Sequence, residues 1–560
     1  MRFLPTPALL AAFVLALPGL RAAALVPDAA DGAIYLPPGF RAIVVADNLV
    51  VGKRVGNTPE KLRGLAVAPN GDLYAKGKFG LIWALRDTNG DGRADEIKEF
   101  GPGGGGTHIA FHGGWLYHSS RTTIYRQKYT PGELVPQSEV QVIVHELPAE
   151  KDHDAKSFGF DEQGRLLVEI GSPYNVFSDG DRRFGAKGKT DAEVAEFQKT
   201  YGGFWRFDAD KPNQTQADGT RFSTGHRHSL ALAWQPVAKE FFMVQMGRDN
   251  LNIIDPVHYD ELDNAERVSE VMHRLREGAN LGWPYSYWDP IKKAHMRAPE
   301  YGGNNFNRIE PDPYDQPVVG FPAHWAPIQM AYYAGPQFPA KYRGGMFVAF
   351  HGSWNRAPRS QAGYNVCFVP FDEQGRPRGT YEQFAWGFAG VEDFTNTRDA
   401  RFRPAGVAVG PDGSLYIGET EKGRIWRVIY TGDLTPRARY ANAVAQQTFA
   451  PIGADTSGGK IYAQVCAACH MPNGSGVPGL QPALAGSQVV AGNAATLIKV
   501  LLQGPAAVLP ADREKFSNVM PAFAAAYNDA DLASLLNYLR KNFAPGAGPV
   551  SEAQVAAQRK

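Results

Sequence analysis

The sequence predicts a mainly β protein, a β-propeller of about six blades followed by a small all-α domain. Three observations predict this. A hairpin pattern, alternating apolar residues on either side of a Gly-containing turn, recurs through residues 31–430. Glycine (61) and proline (41) are abundant and aromatics reach 11%, which favours short strands and tight turns over long helices. From Thr456 the text turns Ala-rich and takes on helical spacing.

Taken in order, residues 1–24 read as a signal peptide. Arg2 gives the positive start, Ala8 to Ala16 a short apolar core, and Ala22, Ala23 and Ala24 small residues for cleavage. Export to the periplasm or the medium is the expectation. The apolar core is too short to span a bilayer and no later run is long enough, so an integral membrane protein is not expected. A formal net charge of +1 gives no reason to look for nucleic acid. The hairpin pattern appears at 64–74 (Gly-Leu-Ala-Val-Ala-Pro-Asn-Gly-Asp-Leu-Tyr), 109–117, 158–167 and 406–416, with looser copies near 230–246 and 328–350. The propeller is assigned to 31–430, a linker without period to 431–453, a helical domain to 454–545 and a flexible tail to 546–560. The last helix is marked by Asn528 or Asp529 as cap and a stripe of Leu532, Leu535, Leu536 and Leu539. Cys367 lies in an apolar stretch and reads as a small buried hydrophobe, so no disulfide is expected.

Cys466-Ala-Ala-Cys469-His470 has the spacing of covalent haem c attachment. On a helix the two thiols meet the two vinyl groups and the next imidazole reaches the iron. A zinc site would need a second Cys or His pair, which is missing. His470 is the proximal ligand. No later histidine exists, and Met471 is adjacent to it, which leaves Met520 as the second axial ligand. The segment 456–544 resembles class I cytochromes c, and the resemblance implies that Pro482 orients the proximal imidazole through its carbonyl.

The propeller text lacks a Gly-x-Gly-x-x-Gly strand-turn-helix unit, so a nicotinamide or flavin Rossmann site is not expected. Residues of roughly 35–430 resemble the soluble pyrroloquinoline quinone (PQQ) glucose and L-sorbosone dehydrogenase family. The resemblance rests on Asp152-His153 with the following 158–172, on Gly225-His226-Arg227-His228, on Gly247-Arg248-Asp249, and on Glu277 through Pro284. It rests also on His351-Gly352-Ser353-Trp354-Asn355-Arg356 and on Arg401-Phe402-Arg403-Pro404, with sorbosone-like text at His324-Trp325-Ala326-Pro327. It implies a PQQ and a calcium ion at the propeller mouth. His153, with Asp152 beside it, would be the base, and Arg227 would lie over the quinone. His228, Trp354, Arg356, Arg401 and Arg403 would contact the cofactor, and the carbonyls of Gly247 and Arg248 would bind the calcium.

The implied chemistry suits these residue types. The substrate would be a sugar or aldehyde that loses hydride to the quinone while neutral His153 removes the hydroxyl proton. Arg227 would stabilise charge on the quinone oxygen, guanidinium groups would grip carboxylates, and calcium would act as a Lewis acid. The haem would pass the electrons to a soluble cytochrome or the respiratory chain. Three departures argue against glucose as the specific substrate: Ser172 stands where glucose dehydrogenases carry an aspartate, His228 replaces an asparagine, and Arg356 replaces a lysine. His108, His324 and His351 carry no assignment alone. The loop Asp87 to Asp95 resembles part of a calcium loop without its closing glutamate, and is read equally as an Asx-rich turn. Two alternatives stay open: a calcium-dependent lactonase-type hydrolase, and a binding or docking propeller coupled to an electron-carrier cytochrome.

Overall fold

The computed structural model describes residues 25–149, 152–290, 292–434 and 456–559, apart from 471–473, 475, 477–480, 514, 515, 517, 518 and 545. The expected signal peptide, and the expected linker beyond Leu434, lie outside the described residues. The chain divides into two compact units, Met1–Thr435 and Pro436–Lys560.

The first unit is a six-bladed propeller. Six antiparallel four-stranded sheets follow one another along the chain, and the third gains a short parallel fifth strand, Ala279–Asn280. Their innermost strands are Leu62–Val67, Ile109–His112, Phe158–Phe160, Ala231–Gln235, Pro327–Tyr332 and Pro404–Val409, numbered here as blades one to six. The sixth blade takes its outer strand, Phe40–Ala46, from the beginning of the propeller, paired with Ile425–Tyr430, so the ring is closed by pairing its two ends. Phe40 locks this closure. It is 2% exposed and its ring meets those of Phe338, Tyr342, Phe384 and Tyr430 at 4.8–5.4 Å.

The inner strands pack tightly about the axis. The Gln329 side-chain amide of blade five donates to Leu65 O, while its oxygen accepts from the backbone N–H groups of Leu65 and Val407, joining three blades. Gly64 and Gly406 are required by this closeness: a Cβ would stand 2.4 Å from Thr107 O and 2.6 Å from Leu65 Cγ respectively. Three inner strands also begin with a register shift, at Leu62/Gly64, Pro327/Gln329 and Pro404/Gly406. Each shift inserts one residue (Arg63, Ile328, Ala405) and re-aims what it carries at the end of the ring.

The second unit is helical. Ser457–Ile461 continues through one π-type turn, Tyr462–Cys466, into Ala467–His470, so the attachment motif sits on one helical run. Gly458 lets this run cross the long helix Asp529–Phe543, since a Cβ there would lie 2.2 Å from Ser534 O. Asn528 caps that helix through Asp531 N, and Leu532, Leu535, Leu536 and Leu539 are buried on its inner face. The expected flexible tail is corrected by the structure. Glu552–Arg559 is a helix, Val550 and Val555 are 2% and 0% exposed, and Arg559 is paired with Asp529. Two valines buried against the core anchor a segment whose composition alone gives no helical stripe.

Candidate active site

The residues with chemistry gather at one end of the propeller, where the chain enters each inner strand and where the neighbouring second strand leaves. Arg63, His108, His153 with Lys156, Arg227 with His228, His324, and Arg403 stand at the six entrances in blade order. The loops leaving the second strands bring Lys78, Ser172, Asp249, the His351–Asn355 segment and Thr420 to the same end.

His153 is the centre of one cluster. Its backbone has φ +54°, a left-handed conformation uncommon for non-glycine residues. Its Nδ1 lies 2.5 Å from Ser172 O. A carbonyl only accepts, so Nδ1 carries the proton and Nε2 is left with a free lone pair. Burial, followed by the positive field of Arg227 and by His228, holds this imidazole well below its ordinary value and therefore neutral. The His228 ring stacks on it at 4.6 Å and 28°. Arg227 donates to Asp249 Oδ2 (2.8 Å) and Asn175 Oδ1 (3.1 Å), and its Nε has no hydrogen-bond partner among the described residues. Burial alone would push Asp249 up; Arg227 and then His324 reverse this and hold it well below the carboxylate range. Asn355 Nδ2 donates to the same carboxylate at 2.8 Å and ties in the fifth blade.

The other cluster is cationic. Arg63 Nη1 donates to Thr420 Oγ1 at 2.7 Å, and His351 Nε2 lies 3.1 Å from the same oxygen. Arg403 donates to the carbonyls of His351 and Gly352 at 3.1 and 2.8 Å. Burial and the proximity of Arg403 bring Arg63 down to about 10. Lys78 is lowered by burial and then by Arg63. His351 is held well below its ordinary value by burial and by Arg63, Arg403, Lys61 and Lys78 together. Positive charges that depress one another indicate a site prepared for an anion.

The structure brings His153, Arg227 and His228 together and places Arg403 in the cationic cluster, while other expected partners are rearranged. Asp152 faces Arg182 at 3.4 Å, and the Ser172 carbonyl supports His153 in its place. Arg356 spends its guanidinium on the carbonyls of Ala265 and Ala323. Arg401 is exposed and lies over the Phe402 ring at 5.0 Å. Trp354 is 54% exposed, on the loop that links the two clusters. The Arg248 side chain forms a buried two-bond ion pair with Glu300, which fixes the Gly247–Asp249 turn, and Gly247 N donates to Glu270 Oε2. The Asp87–Asp95 loop is an Asx-rich turn. Both Asp87 oxygens accept backbone N–H bonds, and Asp95 accepts from Thr88 and Asn89. Sequence reasoning missed Arg63, Lys78, Glu169 and Asp249 as site residues. For Arg63 a signal existed: aligned with the repeat at 404–416, it occupies the slot of fully buried Ala405.

In the helical unit, His470 Nδ1 donates to Pro482 O at 2.9 Å, which turns the other ring nitrogen away from Pro482. Cys466 is buried, Cys469 is exposed, and Met520 packs against the helical core.

A propeller with a cationic, histidine-bearing mouth and a helical unit that carries the haem c attachment motif mark the chain as an oxidoreductase. Residues 54–431 match the TrAA12-like family model and residues 456–542 match the cytochrome c model, so the chain belongs to the TrAA12-like family and carries a cytochrome c domain. Its propeller resembles the PQQ domain of pyranose dehydrogenase from Coprinopsis cinerea, with a TM-score of 0.56 and 17% identity, covering 71% of this chain and 97% of that one. Its helical unit is 41% identical to cytochrome c-552 of Thermus thermophilus over 90 residues, 15% of this chain and 60% of that protein. It is 31% identical over 105 residues to the cytochrome c subunit of a quinone alcohol dehydrogenase of Gluconobacter oxydans, 18% of this chain and 22% of that one. The chain spans 48–64% of the first curated relatives it matches.

Proposed function

We propose that the protein is a quinohaemoprotein dehydrogenase, periplasmic or secreted, that oxidises a sugar or aldehyde of the aldose, pyranose or sorbosone class with PQQ. The observation that carries the reading is the presence, at one propeller mouth, of a neutral His153 stacked on His228 and of the cations Arg63, Lys78 and Arg403.

The residues fit a planar tricarboxylate. Arg63, Lys78 and Arg403 would hold its carboxylates, and the Arg227 guanidinium would lie beside its carbonyl oxygens. When bound, PQQ would supply a two-electron acceptor and haem c a one-electron outlet toward a soluble or membrane-bound acceptor. For calcium the donor set is thin. Asp249 is already neutralised, and no group of three or more His, Cys, Asp or Glu is placed for a metal among the described residues. The carbonyls of Gly247 and Arg248 would be its ligands, and no step is assigned to it.

His153 Nε2 takes the proton of the substrate hydroxyl. Its neutrality, set by burial and Arg227, makes it competent at neutral pH. Arg227 stabilises negative charge that develops opposite it, and Asp249 fixes its guanidinium for that task. Titrating PQQ into the cofactor-free protein, with tryptophan fluorescence as readout, tests the reading. Tight binding that Arg63→Ala and Arg403→Ala each weaken about 10-fold supports it, and no binding in the wild type contradicts it.

A further inference from the structure

The two stacked imidazoles have different anchors. His153 Nδ1 donates to a carbonyl, whereas His228 Nδ1 lies 3.2 Å from Glu169 Oε1. Glu169 is 0% exposed, at the end of the strand Arg165–Ile170. The same oxygen accepts from Ser229 N at 3.1 Å. The Glu169 backbone N–H donates to Ser157 O, and Ser157 Oγ donates to Ser229 O at 2.7 Å, closing a ring between blades three and four. Gly171 leaves the space for this arrangement: a Cβ there would fall 2.8 Å from both Glu169 Oε1 and His153 O. Lys156, 1% exposed, is the neighbouring positive charge. Neither His153 Nε2 nor His228 Nε2 has a partner among the described residues, and neither is sealed away from solvent.

We propose that Glu169 is a positioning residue: it fixes His228 as the Nδ1–H tautomer, so that His228 Nε2 stands beside His153 Nε2 as a second hydrogen-bond acceptor for the substrate. A carboxylate accepts only, so the proton must lie on Nδ1 and the lone pair on Nε2. Two neighbouring acceptors match a substrate with adjacent hydroxyl groups. One hydroxyl gives its proton to His153, and the next donates a hydrogen bond to His228. The substrate class is therefore a vicinal polyol or its hemiacetal rather than a simple aldehyde. This rests on the proposed function for the chemistry, but the tautomer does not depend on it.

The test uses the full-length, haem-loaded chain. Imidazole nitrogen NMR before PQQ is added, with His228 assigned by a His228→Asn variant, reads the tautomer. The expectation is Nδ1–H in the wild type, loss of that tautomer in Glu169→Ala, and its retention in Glu169→Gln, whose amide oxygen can keep both bonds. After reconstitution, Glu169→Ala should lower kcat/KM for an aldose about 10-fold or more while sparing its 2-deoxy analogue, and Glu169→Gln should restore the preference. A wild-type Nε2–H tautomer, or an Nδ1–H tautomer that survives in Glu169→Ala, overturns the proposal, and the wild-type reading stands even where the alanine variant does not fold. If no sugar is oxidised, the proposed function fails while the tautomer still decides the role of Glu169.

Discussion

The propeller mouth and the haem motif are built in opposite ways. The haem site is local. Two thiols and the ligand His470 fall within five residues of one helical run, and one carbonyl, Pro482 O, orients the imidazole. The propeller site is global. Its groups come from all six blades, up to about 340 residues apart in sequence between Arg63 and Arg403 (403 less 63), and they are set by the entrances of inner strands and the exits of second strands. Covalent attachment lets a short motif suffice, whereas noncovalent binding of an anion needs many charges held apart until the ligand arrives. A local site therefore fails alone, and a distributed site fails together with its fold.

The largest effect should separate the two regions completely. Replacing both Cys466 and Cys469 with alanine should abolish covalent haem while leaving propeller melting unchanged, measured by haem staining and calorimetry. Arg227→Ala should do the reverse. It leaves Asp249 buried without its guanidinium partner, so it should cost about 3–5 kcal/mol of propeller stability in denaturant titrations with the haem content intact. It should also lower kcat roughly 1000-fold. His153→Ala should lower kcat roughly 100- to 10,000-fold with little change in stability, and a variant that keeps its rate would remove His153 from the chemistry. Met520→Ala should leave the haem attached but lower its potential, read by redox titration.

The smallest effect concerns pH. A catalytic imidazole must be neutral, and His153 is held well below 6.5, so the fraction in the active form stays near one as pH falls from 7 through 6.5. The log kcat/KM profile should be flat across that window. A limb centred near 6.5 would show that burial and the Arg227 field do not act on the base.

What was legible in the sequence follows the same division. The helical stripe of Leu532, Leu535, Leu536 and Leu539 and the Cys-x-x-Cys-His spacing are local patterns, and the structure repeats them directly. The hairpin repeats gave the six blades because each blade is itself a local unit. The partners of the site were another matter. That Ser172 supports His153 by its carbonyl, rather than Asp152 by its carboxylate, depends on backbone geometry that the sequence does not carry. Arg356 and Arg403 look alike in sequence and both donate to backbone carbonyls, yet only Arg403 stands beside Arg63 among the cations of the mouth. Arg63 entered the site through a one-residue register shift, visible only when two repeats are set side by side. The closing helix Glu552–Arg559 was missed because Val550 and Val555 are buried by neighbours rather than by a stripe of their own.

The most direct test of the central claim is optical. The oxidised, haem-loaded protein is given PQQ and calcium, then aldoses and pyranoses, while the reduced haem band is followed. The account predicts that the band rises only when cofactor and substrate are both present, and that His153→Ala abolishes the rise. A haem that stays oxidised with every sugar, yet is reduced normally by ascorbate, would contradict it.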